Sequence, residues 1–178
     1  MADVLTTLTP EFREKIESVV RRCTTKGFEL HPYCGLRNCR EQATIFRKSR
    51  TIEEIRIKVQ SLRDRGAGEL ADILIGVGPQ EGTLGQHVTK AGPGESWHQY
   101  AVAADCVPLI GGKALWENSA KEWQVFGSTA ASEGLTWAGT WSTFKEFPHV
   151  QLPSGNNPLT RFNSIELALS AMRKVGAL

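Results

Sequence analysis

Ser96-Trp97-His98-Gln99-Tyr100-Ala101-Val102-Ala103-Ala104-Asp105 sets an imidazole and a carboxylate seven residues apart, at the head of an apolar run that continues to Leu109. On an ideal helix that separation is two turns on one face, but Gly92-Pro93-Gly94 lies just upstream and the run is rich in small and β-branched residues. A strand is the better reading. Alternation puts Ala101, Ala103, Asp105 and Val107 on one face and Val102, Ala104 and Cys106 on the other. Asp105 then has only small neighbours, with room above it for an ion. An odd spacing along one strand would send His98 to the opposite face. If both are ligands, the chain must bend or bulge between them.

Two ligands do not make a zinc site, and Glu146-Phe147-Pro148-His149-Val150-Gln151-Leu152 offers the third. Pro148 cannot continue a helix and pushes Phe147 toward extended geometry, so this is not the helical H-E-x-x-H arrangement. Instead Glu146 ends a turn and His149 opens a strand. His98, Asp105 and His149 make a three-ligand set that leaves the fourth position of one Zn2+ to water. Glu146 is the spare carboxylate, placed to take that water's proton.

Ser96-x-His98-x6-Asp105, followed by Gly134-Leu135-x-Trp137-x-Gly139-x-Trp141-x2-Phe144-x-Glu146-x-Pro148-His149, resembles the zinc D-alanyl-D-alanine carboxypeptidase and dipeptidase family. That family includes the L-alanyl-D-glutamate endopeptidases used as phage endolysins. Upstream, Gly35-Leu36-Arg37-x4-Gln42 resembles the family's Gly-Tyr-Arg-Ser-x3-Gln element, whose arginine binds substrate or stabilises the tetrahedral transition state. The resemblance runs from about Phe28 to Leu152. Ala101 stands where glycine is usual, Leu36 where an aromatic is common and Asn38 where serine is common. These departures touch neighbours of the site rather than its chemistry. The resemblance implies Arg37 as a catalytic residue beside Glu146. Gln42, Ser96, Trp137 and Trp141 are the candidate substrate-binding residues, with plain packing the equal alternative for the tryptophans and orientation of a metal ligand the alternative for Ser96.

The 178 residues, 40% hydrophobic and 22% charged, fit one globular domain with a proper core. A net charge of +2 is too mild to argue for nucleic acid, though it would not be repelled by an anionic cell wall. The N-terminus lacks a basic n-region and an apolar h-region, and no apolar run approaches membrane-span length. Synthesis in the cytoplasm without a signal peptide is therefore expected, with no membrane insertion. Cys23, Cys34, Cys39 and Cys106 read as reduced, mostly structural thiols. His31-x2-Cys34-x4-Cys39 does not have a standard zinc spacing.

Thr9-Pro10-Glu11 reads as a helix start with a threonine cap, and Phe12, Ile16, Val19, Val20 and Cys23 recur at helical spacing until Gly27. Phe28 to Tyr33 reads as a strand, which puts Arg37 at a strand end before a helix through Arg47. Thr51-Ile52-Glu53-Glu54 is a capping-box start, and Ile55, Val59 and Leu62 share a face. Glu69 to Val77 is a further apolar stretch. The glycine-rich segment Gln80 to Glu95 reads as a loop at the edge of the site, with His87 a solvated loop histidine. Gly111-Gly112-Lys113 is a turn, and Trp123, Phe126 and Ala130 mark a helix. Ser96 could be a nucleophile only with a histidine base, and His98 is better used on zinc. Pro153 to Pro158 reads as a linker, and Ser164 opens a helix with Ile165, Leu167, Leu169 and Met172 on its packed face.

Taken singly, His98, Asp105 and His149 are a buried histidine, a strand-end acid and a strand-start histidine. Together with Glu146, Arg37 and the tryptophan-rich segment they point to one catalytic centre. The expected fold is α+β, a small central antiparallel sheet carrying the zinc site and flanked by helices. It is expected as a single domain, with residues 1–152 catalytic and residues 153–178 a linker and helix packed on them. The expected activity is that of a monomeric zinc metallopeptidase cutting bacterial peptidoglycan stem peptides at the L-alanyl-D-glutamate bond, a phage-type endolysin acting on the wall after release. The alternatives are a D-alanyl-D-alanine dipeptidase or carboxypeptidase, and a zinc-containing wall-binding module without turnover.

Overall fold

The computed structural model describes residues 4–48, 50–78, 87–155 and 157–178. In chain order its elements are α1 (Pro10–Thr25), β1 (Glu29–Cys34), α2 (Cys39–Arg47), α3 (Ile52–Asp64), α4 (Gly68–Gly76), β2 (Ala103–Ile110), β3 (Lys113–Ala114), α5 (Lys121–Ser132), β4 (Thr136–Trp137), β5 (His149–Gln151) and α6 (Ile165–Lys174). The fold is α+β, as the sequence implied. Close contacts group the chain into two units, Met1–Leu36 with Ala101–Ser154 and Arg37–Tyr100 with Gly155–Leu178. Among the described residues no helix is long and apolar enough to cross a membrane.

The first unit is built on an antiparallel sheet of order β1-β2-β5-β4, with β3 also on β2. Helix α1 lays Phe12, Ile16, Val19 and Cys23 against Leu30, Ala104, Cys106 and Val150 of the sheet and Trp123, Phe126 and Ala130 of α5. Each large side chain buried this way contributes roughly 1.5–3 kcal/mol. Proline opens α1 as expected, but Thr9 makes no side-chain capping bond. Two features of the sheet matter for the site. Tyr33 is an extra residue between the pairs Pro32 with Cys106 and Cys34 with Asp105, a β-bulge in β1. Gly111 and Gly112 form the tight turn that joins β2 to β3.

Strand β2 starts at Ala103, not at Ala101 as the alternation suggested. Residues Trp97–Tyr100 form a 3-10 turn, and Ala101 follows with φ of 56°. That left-handed residue bends the chain between His98 and Asp105, as expected if both are ligands. A Cβ in this region costs roughly 1–2 kcal/mol, a cost that glycine would avoid.

Trp137 is held from both sides by missing side chains. A Cβ at Gly127 would come within 2.0 Å of its ring and one at Gly139 within 2.2 Å. The indole also meets Phe126 and Phe147 edge-on.

In the second unit, the side chains of Asn38 and Thr51 make capping boxes for α2 and α3. Ile55, Val59 and Leu62 of α3 are buried, as are Leu70, Ala71 and Leu74 of α4. Residues 155–178 group with this unit, and in α6 the buried residues are Ala168 and Met172, whereas Leu167 is exposed. Of the face expected from the sequence, Met172 is buried and Ile165 and Leu169 are half-buried, so the correction concerns Leu167 alone, with Ala168 on the packed side. Part of the expected Gln80–Glu95 loop, residues 80–86, lies outside the described residues.

Gly127→Ala should lower stability by about 1–3 kcal/mol despite alanine's better helix propensity, because the clamped indole cannot retreat. Chemical denaturation checks this, and an unchanged midpoint would show that the ring can move. Ala101→Gly should leave the fold intact and raise stability by up to ~1 kcal/mol as the left-handed strain is relieved.

Candidate metal centre

His149 opens β5 directly opposite Asp105 on β2. The turn before it is fixed by backbone: the His149 N–H donates to the Glu146 carbonyl at 3.2 Å, and the Cys106 N–H to the Pro148 carbonyl at 3.0 Å. Trp137 adds a third tie, its Nε1–H donating to the Phe147 carbonyl at 2.7 Å. Buried by 94%, Trp137 is a core residue that shapes this turn. Trp141 lies against the His149 ring, centroid to centroid 5.7 Å.

The protonation of His149 follows from its neighbours. The Gln151 amide donates from Nε2 to the Pro153 carbonyl at 2.8 Å. That carbonyl can only accept, so Gln151 Oε1 is the atom that meets His149 Nε2 at 3.0 Å. Nε2 must therefore carry a hydrogen. The lone pair of neutral His149 is then on Nδ1, which stands 3.2 Å from Asp105 Oδ1. Two acceptors at this distance need a cation or a proton between them. Nitrogen and oxygen ligands of one tetrahedral zinc, each about 2.1 Å from it, lie about 3.4 Å apart. Observed and ideal spacings differ by less than a bond's tolerance. Burial pushes the His149 imidazole down, but its bond to and charge interaction with Asp105, the charge of Glu146 and the bond to Gln151 outweigh it. They hold His149 above the ordinary histidine value. The pocket thus favours positive charge on this ring. Glu146 is half-buried, close enough for its charge to act on His149.

The second unit arranges His98 and Arg37. His98 is 2% exposed in its 3-10 turn, and its carbonyl accepts the Arg37 N–H at 3.3 Å. Gln42, fully buried, accepts from Arg37 Nη1 at 3.0 Å and from Gln99 Nε2 at 3.1 Å, and donates to the Ala91 carbonyl at 2.8 Å. Gln99 Oε1 in turn accepts from the Gly94 and Ser96 N–H groups. Two glutamines therefore brace the turn that carries His98. Buried Glu95 completes the support, binding the Gly92 N–H at 2.8 Å and Lys58 at 2.7 Å. Ser96 is half-buried at the start of this turn. His87 is exposed, 3.5 Å from Glu54.

The sequence reading did not single out Gln151, Gln99 or Glu95. Gln151 had a signal: on a strand, i and i+2 share a face, so His149-x-Gln151 places an amide beside the imidazole. The others had none, because a polar side chain that braces a turn looks like any surface residue.

All four cysteines are thiols. Cys106 lies on the core face, where burial pushes its thiol well up, and Cys23 and Cys39 are raised by burial to about 11 and about 12. Cys39 packs on Met172, sulfur to sulfur 3.5 Å, as a core residue.

Residues 89–152 match a family model described as D-alanyl-D-alanine carboxypeptidase. That segment holds His98, Asp105, Glu146 and His149, while the Gly35–Gln42 part of the resemblance lies outside it. A peptidoglycan L-alanyl-D-glutamate endopeptidase, CwlK of Bacillus subtilis (strain 168), is 22% identical over 153 residues, 82% of this chain and 73% of its own. Among solved structures, the LdcB LD-carboxypeptidase is similar at a TM-score of 0.50 with 18% identity, over 94% of this chain and 64% of that one. This likeness concerns the fold. The Serratia marcescens L-Ala D-Glu endopeptidase ChiX gives a TM-score of 0.47 at 17% identity, covering 84% of each chain.

Gln151→Leu should fold and weaken Zn2+ binding by about 10–100-fold, since the imidazole loses the acceptor that fixes its tautomer. Competition with a chromophoric chelator measures this; unchanged affinity would remove Gln151 from the account.

Proposed function

We propose that this chain, similar across residues 89–152 to the D-alanyl-D-alanine carboxypeptidases, is a zinc metallopeptidase that hydrolyses peptidoglycan stem peptides. The bond we assign is the one between L-alanine and D-glutamate, in a lytic role of the endolysin type. The observation that carries the reading is the 3.2 Å approach of His149 Nδ1 and Asp105 Oδ1, with Glu146 at the turn beside them. The similarity to the Bacillus subtilis endopeptidase supports the choice of bond. The family description favours terminal D-alanine instead, and cleavage of D-alanyl-D-alanine is the second reading.

His98, Asp105 and His149 are the proposed ligands of one Zn2+, and a set of two imidazoles and one carboxylate suits that ion. When bound, the ion supplies a Lewis acid that acidifies water and polarises the scissile carbonyl. Glu146 accepts the proton of the attacking water and returns it to the leaving amine. Arg37 supplies a fixed cation for the oxyanion, and Gln42 serves it by holding one Nη in place. Ser96 and Trp141 are the proposed substrate contacts, with Trp137 backing the turn from within the core.

Glu146→Gln should fold and retain Zn2+ while losing activity by roughly 10²–10⁴-fold, the scale of a general base. Mass spectrometry of digested peptidoglycan decides the bond: a new amino group on D-glutamate, abolished by chelator, supports the endopeptidase. Release of D-alanine would transfer the function to the second reading. Full activity in Glu146→Gln would overturn the assignment of the base.

A further inference from the structure

Cys34, Asp105 and His149 stand in one row across three neighbouring strands. Asp105 is the partner of Cys34 on β1 and of His149 on β5, and residues directly opposite in antiparallel strands present their side chains on the same face. The bulge creates this row. Without the extra residue, Tyr33 would stand opposite Asp105 and Cys34 would follow on the other face. Tyr33 instead makes an edge contact with Trp116 at 5.9 Å. Cys34 Sγ and an Asp105 carboxylate oxygen lie within 4.8 Å of each other. Sulfur and oxygen ligands of one tetrahedral zinc are about 3.6 Å apart, a difference that a small side-chain rotation closes. Cys34 is half-buried, whereas Cys106 faces the core and Cys23 lies within it.

We propose that Cys34 is a further metal ligand, its thiolate taking the coordination position that hydrolysis needs for water, so that the centre has a closed state and an open one. The inference rests on the reading of Asp105 and His149 as zinc ligands. On closing, Cys34 gives up its proton to solvent and a sulfur–metal bond replaces the bond to water. Opening reverses both changes. Four protein ligands make a closed site of the structural kind, and three with water make a catalytic one. The bulge thus gives the active centre a resting form.

Titrating the full-length, metal-free protein with Co2+ alone tests this. Visible d–d bands together with a near-ultraviolet thiolate-to-cobalt band are expected, with the second lost in Cys34→Ala and kept in Cys106→Ala. Visible bands with no thiolate band in the unmodified chain would overturn the proposal while leaving the metal centre standing. Absence of any cobalt spectrum would overturn the metal centre and this inference with it. A second measurement needs no variant: Zn2+ alone should slow alkylation of Cys34 by iodoacetamide by about tenfold or more, since a coordinated thiolate is a poorer nucleophile. An unchanged rate, read by peptide mass spectrometry, would overturn it. With Zn2+ bound, Cys34→Ala should hydrolyse peptidoglycan at least about twofold faster, because the water position no longer closes. Equal or lower activity would overturn the closed state.

Discussion

The Pro153 carbonyl, through the Gln151 amide, decides which nitrogen of His149 faces Asp105. Everything the site does in the first unit depends on that choice. With the hydrogen on Nε2, the Nδ1 lone pair and a carboxylate oxygen confront each other at 3.2 Å in a largely buried setting. Like-signed partial charges this close are unfavourable in a medium of low effective dielectric unless a cation intervenes. A proton satisfies the pair in the absence of metal, which is why His149 is held above its ordinary value despite burial. A divalent cation at the proposed zinc centre would meet the same two acceptors, and the charge of Glu146 favours either occupant. Proton and metal would then compete for one place, which the glutamine relay fixes.

The second unit solves a related problem with the same residue type. Arg37 is a long side chain with many rotamers, and the role proposed for it, holding a developing oxyanion, needs a cation that does not wander. Gln42 restrains it from a fully buried position, and the same carbonyl oxygen accepts from Gln99. Gln99 then secures Gly94 and Ser96, so the position of Arg37 and the path of the chain into His98 are set by one network. Buried Glu95 adds a charged brace on the Gly92 N–H, with Lys58 as its counter-ion.

Much of this was legible in the sequence because periodicity and turn chemistry are local. Helix α1, the capping boxes of α2 and α3, the Gly111-Gly112 turn and the His149 strand all follow from residues within a few positions of each other. A bend between His98 and Asp105 follows from parity if both are ligands, although its form, a 3-10 turn closed by left-handed Ala101, does not. What escaped was relational. Gln151 matters because of an acceptor two residues on and an imidazole two residues back, and Gly127 because of a tryptophan ten residues later. The bulge at Tyr33 was invisible for a similar reason: it exists only in the pairing of β1 with β2. On α6 the size of a side chain misleads at one position: large Leu167 is exposed while small Ala168, one residue on, is buried with Met172.

The sheet also gives two cysteines on adjoining strands different surroundings. Cys106 and Cys34 belong to adjoining strands, and one residue of register separates the core face from the site face. On the core face, burial suppresses the thiolate, so Cys106 behaves as a small apolar side chain. On the site face a sulfur meets Asp105, which by itself would also disfavour a second negative charge. Only a cation shared between them makes thiolate and carboxylate compatible neighbours. A protonated thiol is an ordinary neighbour for a carboxylate, since its S–H can donate, and only a thiolate there needs a cation shared with Asp105. The facing acceptors of His149 and Asp105 do call for a proton or a cation, and Cys34 is paired with the same Asp105 from the other side of β2.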